Sequence, residues 1–115
     1  MISTHVLDTA RGRPAAGVPV VLEHLGSDAA SVAGREIGRA TTDGDGRVRE
    51  LSPAGAALGS GVYRLTFDTA AYFTALGVEW FYPWVSVVFV ITDAAQHYHV
   101  PLLLSPFGYS TYRGS

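Results

Sequence analysis

Cysteine is absent from this 115-residue chain. That excludes disulfides and thiol catalysis. Charge is scarce: Asp, Glu, Lys and Arg make up 16% of residues against a usual share of about a quarter. The net charge of −2 offers no electrostatic case for nucleic acid or an anionic membrane. Long apolar runs are missing as well. The longest, Val85 to Ile91 around Ser86, falls far short of the roughly 20 residues needed to span a bilayer. Met1 to Asp8 has no basic segment leading into an apolar one, so no signal peptide is read there. A soluble protein of the cytoplasm is the expectation. Arg-Gly-Ser at the C-terminus is not the Ser-Lys-Leu peroxisomal address. No Gly-x-Ser-x-Gly elbow, P-loop or dinucleotide fingerprint occurs.

What is present is a chain of single-domain length, 1–115, with 48% hydrophobic residues. A domain of that size buries roughly two-thirds of its unfolded surface. With so few charges, part of the remaining surface is expected to be covered in an oligomer. The periodicity is that of strands. Tyr63, Leu65 and Phe67 alternate with Arg64, Thr66 and Asp68, the pattern of a half-buried strand over 61–68. Over 84–92, Val85, Val87, Phe89 and Ile91 share one face, and Trp84, Ser86, Val88 and Val90 the other. Such a strand is either central or covered by another subunit. Val18, Val20 and Leu22 align over 17–24, with Pro19 near the start. A first strand is read at about 3–8, followed by a loop from Arg11 to Gly17. Asp43-Gly44-Asp45-Gly46 reads as a tight turn between short strands. One short helix fits after Asp68 or Thr69 and stops at Gly77. Seven or eight strands with one short helix read as an all-β, two-sheet sandwich.

The chemistry-bearing residues are few. His97 and His99 stand two apart on a strand, so they share a face. As metal ligands they need a third partner, for which His5 is available. As an acid–base pair they offer the natural proton carrier near pH 7. As a pair taken alone, two partly exposed strand histidines are the commoner reading. His5 lies on the face shared with Ser3 and Leu7. Arg47 follows the Asp-Gly turn and presents a two-pronged donor to carboxylate-like or urea-like groups. Arg49 is two residues on, and spacing does not separate the two. The Asp-Gly-Asp-Gly run lacks the glutamate of a calcium loop, since position 54 is Ala. His24, at the end of its strand, reads as an ordinary surface residue. The last four residues, Tyr112-Arg113-Gly114-Ser115, are unusually functional for a chain end, which is normally frayed.

Four segments together carry a resemblance. They are Ile2-Ser3-Thr4-His5-Val6-Leu7-Asp8-Thr9, Thr41-Thr42-Asp43-Gly44-Asp45-Gly46-Arg47, Phe67-Asp68-Thr69-Ala70-Ala71-Tyr72-Phe73, and His97 to Ser115. The chain resembles the 5-hydroxyisourate hydrolases, the enzyme branch of the transthyretin-like family, over essentially its whole length. The resemblance implies an eight-stranded two-sheet sandwich with one short helix. It implies a homotetramer, a dimer of dimers, with active sites in a central channel. The implied substrate is 5-hydroxyisourate, whose six-membered ring is opened to 2-oxo-4-hydroxy-4-carboxy-5-ureidoimidazoline without metal or organic cofactor. The family's site residues fall on His5, Arg47 rather than Arg49, His99, and the tail Tyr112 to Ser115. Trp84 departs from the polar or acidic residue expected there, which bears on local surface packing.

The implied roles have a chemical rationale. Opening a cyclic amide with water needs a base, stabilisation of a developing oxyanion, and a proton for the leaving nitrogen. His99 is assigned as the base and His5 as a holder of water or substrate. Arg47 binds the planar ring and stabilises negative charge. Ser115 and Tyr112 orient substrate or water. Arg113 has the weaker claim, since a neighbour out of phase on a strand is expected to point away. The same fold also serves transthyretin-type carriers of small molecules, since function lives in the site and not in the fold. A carrier is expected to lose the histidines and the terminal tetrapeptide.

Overall fold

The computed structural model describes residues 1–26, 34–53 and 58–115. Nine strands and one helix are defined there: β1 Ile2–Asp8, β2 Arg13–Pro14, β3 Pro19–Gly26, β4 Arg35–Thr41, β5 Arg47–Val48, β6 Gly61–Phe67, α1 Thr69–Ala75, β7 Val85–Ile91, β8 Tyr98–Ser105 and β9 Gly108–Thr111. They form two sheets. One runs β2-β1-β8-β9, with β5 also on β1; the other runs β4-β3-β6-β7. The expected two-sheet sandwich with one short helix is what the chain forms. The additional strand comes from β2, a two-residue pairing inside what reads as a plain loop. Leu7 and Asp8 pair there with Pro14 and Arg13.

β1 organises the sheet that matters for function. Along its whole length it pairs in parallel with β8, Ser3 opposite His99 and His5 opposite Pro101. Its other edge is shared by β2 and β5, with His5 opposite Arg47. Strand alternation then sorts its side chains. Ile2, Thr4, Val6 and Asp8 are fully buried, which leaves Ser3, His5 and Leu7 for the outer face. Thr4 satisfies its buried hydroxyl by donating to the Val100 carbonyl at 2.6 Å.

The core lies between the sheets. Val18, Val20, Leu22, Tyr63, Leu65 and Phe67 fill it from one side and Val6, Val100, Leu102 and Leu104 from the other. Each such fully buried side chain contributes roughly 1.5–3 kcal/mol of hydrophobic stabilisation. Helix α1 starts where Asp68 accepts a hydrogen bond from the Ala71 amide at 3.1 Å. It ends at Gly77, whose φ of +69° only glycine adopts freely, while the Gly77 and Val78 amides donate to Thr74 and Phe73. Tyr72 anchors the helix to β1 by donating its hydroxyl to Asp8 Oδ2 at 2.7 Å.

One expectation is corrected and one alternative is narrowed. β7 is the edge strand of its sheet, so of the two readings of its apolar faces, central or covered by another subunit, the first falls away. Its outward residues Val88 and Val90 remain 53% and 56% exposed in the single chain. His24 is not an ordinary surface residue. β3 continues past it to Gly26, and register places it opposite Tyr63. The two rings stack at 4.5 Å, and the His24 Nε2 atom is buried with no partner among the described residues.

Candidate active site

A pocket of about 180 Å³ opens on the outer face of the β1–β8 sheet, lined by Ser3, Thr4, Arg47, Val48, Arg49, His97, His99 and Ser115. Four segments distant in sequence meet here, and each arrives for a local reason. The Asp43–Gly46 turn delivers Arg47. Asp43 Oδ1 accepts from the Asp45 and Arg47 amides at 2.9 and 3.0 Å. Gly46 closes the turn at φ +74° and donates to the Asp43 carbonyl. A Cβ on Gly46 would sit 2.4 Å from the Val6 carbonyl oxygen, so the turn packs directly on β1. The turn does not join a hairpin: β4 and β5 belong to different sheets, and the chain crosses between layers here.

The tail arrives through β9. Past Thr111 the chain folds back, and the Gly114 amide donates to the His99 carbonyl at 2.8 Å. This leaves Ser115 on the pocket wall. Arg113 turns away as expected. Its guanidinium sits 4.6 Å from the centre of the Tyr98 ring and donates to Gln96 Oε1 at 3.0 Å. That cation–π contact and hydrogen bond staple the tail to the strand beside it.

The two histidines of the His-Tyr-His triplet share a face, as alternation requires. Both reach one hydroxyl. Ser3 Oγ lies 2.8 Å from His97 Nε2 and 2.8 Å from His99 Nδ1. Burial pushes the His99 imidazole below the usual histidine range, and the nearby positive charges of Arg47, His97 and His5 act the same way. His99 is therefore a neutral imidazole at pH 7, able to accept a proton.

Of the sequence candidates, Arg47, His99 and Ser115 converge on the pocket. Arg49 joins Arg47 on its wall, so the structure does not separate the two by position. His5 stands opposite Arg47 across the β1–β5 pairing but does not line the pocket, and its Nε2 meets the Asp45 carbonyl oxygen at 2.9 Å. Tyr112 stands apart. It is 57% exposed and lines a neighbouring depression with Val88, Val90, Thr111 and Arg113, a depression that His99 also borders. Ser3 is the residue that sequence reasoning passed over. It shares its strand face with His5, but nothing in the sequence pairs it with residue 99. Among the described residues no three His, Cys, Asp or Glu side chains cluster as metal ligands. No helix among them is long and apolar enough to cross a membrane.

Two stacked sheets, a single short helix and a polar pocket on one outer face define a transthyretin-like sandwich. The chain belongs to the HIUase/transthyretin family, whose model matches residues 2–114. It is 51% identical over 114 residues to a probable 5-hydroxyisourate hydrolase of Caenorhabditis elegans, spanning 99% of this chain and 81% of the relative. It is 48% identical over 118 residues to 5-hydroxyisourate hydrolase 2 of Rhizobium meliloti, with 99% and 95% covered. The solved 5-hydroxyisourate hydrolase of Klebsiella pneumoniae matches with a TM-score of 0.84 at 38% identity, covering 99% of this chain and 98% of that one. Sea bream transthyretin in complex with thyroxine matches with a TM-score of 0.86 at 32% identity, covering 98% and 93%.

Proposed function

We propose that this protein hydrolyses 5-hydroxyisourate to 2-oxo-4-hydroxy-4-carboxy-5-ureidoimidazoline. The observation that carries the reading is the convergence of His99, Arg47 and Ser115 on one small pocket. A hydrolase and a carrier share this fold, and the likeness to transthyretin is as close in shape as the likeness to the hydrolase. The site favours the hydrolase. A wall of histidine, arginine and serine suits a polar, ring-opening reaction better than an apolar ligand.

His99 acts as the general base. Its depressed basicity keeps it unprotonated at neutral pH, and it takes a proton from the attacking water. Arg47 binds the urea-like edge of the planar ring and stabilises the oxyanion that forms at the attacked carbonyl. The carbon–nitrogen bond then breaks, and the proton held on His99 passes to the leaving nitrogen. Ser115 orients water or substrate from the tail. His5, held by the Asp45 carbonyl, supports water or substrate. The working form is a homotetramer, a dimer of dimers. Its support here is the uncovered apolar surface of Trp84, Val88, Val90 and Phe107. In that assembly the pocket opens on a central channel, and Tyr112 serves as a substrate-orienting donor.

The test is direct. Added to freshly generated 5-hydroxyisourate, the protein accelerates the decay of its ultraviolet absorbance well beyond the spontaneous rate. No acceleration sinks the reading. His99→Asn lowers the catalysed rate by about 10²–10⁴-fold, the usual contribution of a general base. Full turnover in that variant removes His99 from the role.

A further inference from the structure

One hydroxyl between two imidazoles imposes a rule. Ser3 Oγ is 2.8 Å from His97 Nε2 and 2.8 Å from His99 Nδ1, and a serine hydroxyl owns a single proton to donate. Of the two histidine nitrogens, one accepts that proton and the other donates its own to the serine oxygen. Ser3 is 6% exposed, so water does not readily substitute for either partner. The protonation states of His97 and His99 are coupled through Ser3.

Two arrangements satisfy the rule when both rings are neutral. In the first, His99 Nδ1–H donates to Ser3, and Ser3 donates to His97 Nε2. His99 Nε2 is then bare and able to take a proton. In the second, His97 Nε2–H donates to Ser3, and Ser3 donates to His99 Nδ1. His99 then carries its proton on Nε2 and has no basic nitrogen facing away from the serine. A charged His97 has a proton on Nε2 and enforces the second arrangement.

We propose that Ser3 and His97 are positioning residues that hold His99 with its proton on Nδ1, and that a second proton on His97 reverses this and switches the base off. The proposal rests on His99 being the base. The other charged or titratable side chains around the pair are Arg47 on β5, Arg49 just beyond it and His5 on β1. His5 is tied to the Asp45 carbonyl and not to Ser3. His97 is the exposed member of the pair, placed to exchange protons with solvent, while His99 is half-buried. The relay therefore joins the half-buried base to the exposed His97 through one buried hydroxyl.

The experiment has two readouts. The first is the acid limb of log(kcat/KM) against pH. In the wild type both His97 and His99 must be deprotonated, so the slope approaches two. In His97→Gln, which does not titrate, it falls to one. In Ser3→Ala it also falls to one, and kcat drops about tenfold with KM changed less than about threefold, a part of what a general base supplies. Ser3→Thr keeps a hydroxyl and recovers the steeper limb. The second readout is the nitrogen NMR spectrum of the His99 ring, which reports its tautomer without substrate. The wild type above the acid limb shows a protonated Nδ1 and a bare Nε2; Ser3→Ala loses that preference. A wild-type slope of one, a slope unchanged in His97→Gln, or a bare Nδ1 in the wild type overturns the proposal. An active His99→Asn overturns the base assignment instead, and the tautomer readout tells the two failures apart.

Discussion

A methyl group added to Gly114 should silence the enzyme while leaving the fold intact. Gly114 is the point where the tail touches β8, its amide donating to the His99 carbonyl. Its φ is not in the left-handed region, so Gly114→Ala introduces no backbone strain. The cost is steric. The new Cβ would lie 2.5 Å from His99 Cδ2, 3.2 Å from His99 Cγ and 3.3 Å from Pro101 Cγ. Opening the first contact to the 3.4 Å of an ordinary one requires about 0.9 Å of separation. Either the His99 ring turns away from Ser3 or the tail lifts and takes Ser115 off the pocket wall. Misplacing a catalytic group by about 1 Å costs about a hundredfold in rate. At 1.36 kcal/mol per tenfold, that is about 2.7 kcal/mol of barrier. The assay pairs initial rates of 5-hydroxyisourate decay with a thermal melt. Because Tyr112, Arg113 and Ser115 are exposed, the melting temperature should move by less than about 4 °C, the shift that about 1 kcal/mol produces in a domain near this size. A Gly114→Ala rate within about threefold of wild type would refute the contact between tail and base as a functional one.

Three further outcomes follow from the same structure. Deleting Tyr112 to Ser115 abolishes ring opening, read by absorbance, and leaves the circular dichroism of the sandwich unchanged; a tail-less protein that stays active removes Ser115 and Tyr112 from the site. Arg47→Ala removes a positive charge that opposes protonation of His99, so the His99 pKa rises, as followed by NMR titration. Burial is the larger cause of the depression, so the value stays below that of an ordinary histidine; reaching or passing that value refutes the ranking. Tyr72→Phe leaves the buried Asp8 carboxylate without its hydroxyl donor and destabilises the protein by about 1–3 kcal/mol in urea unfolding, whereas no measurable loss shows the bond to be dispensable.

Much of this was legible along the chain. Alternation in 61–68 marked Tyr63, Leu65 and Phe67 as core, and they are 1% exposed or less. Asp68 and Gly77 bounded the helix, because caps and left-handed glycines act within a few residues of the backbone they satisfy. The Asp-Gly-Asp-Gly turn was equally local. The misses came from pairing. The two apolar faces of β7 fitted a central strand or one covered by another subunit, and only the sheet order removes the first reading. His24 read as surface because its stacking partner, Tyr63, is 39 residues away and reaches it only through the β3–β6 register.

The site divides along the same line. Period-two alternation was enough to put His97 with His99, and Ser3 with His5, on common faces, since side-chain direction is set by the residue's own strand. It also set Arg113 against its neighbour Tyr112. What the strand pattern could not determine was which strands become neighbours. The parallel β1–β8 pairing, 96 residues apart, sets Ser3 between two imidazoles. The crossing from β4 to β5 brings Arg47 beside His5, and the Gly114 hydrogen bond seats the tail against His99. Strand direction is local chemistry, while strand partnership depends on how both sheets together bury one core. The residue types of the site therefore belong to the sequence, and their meeting belongs to the tertiary structure.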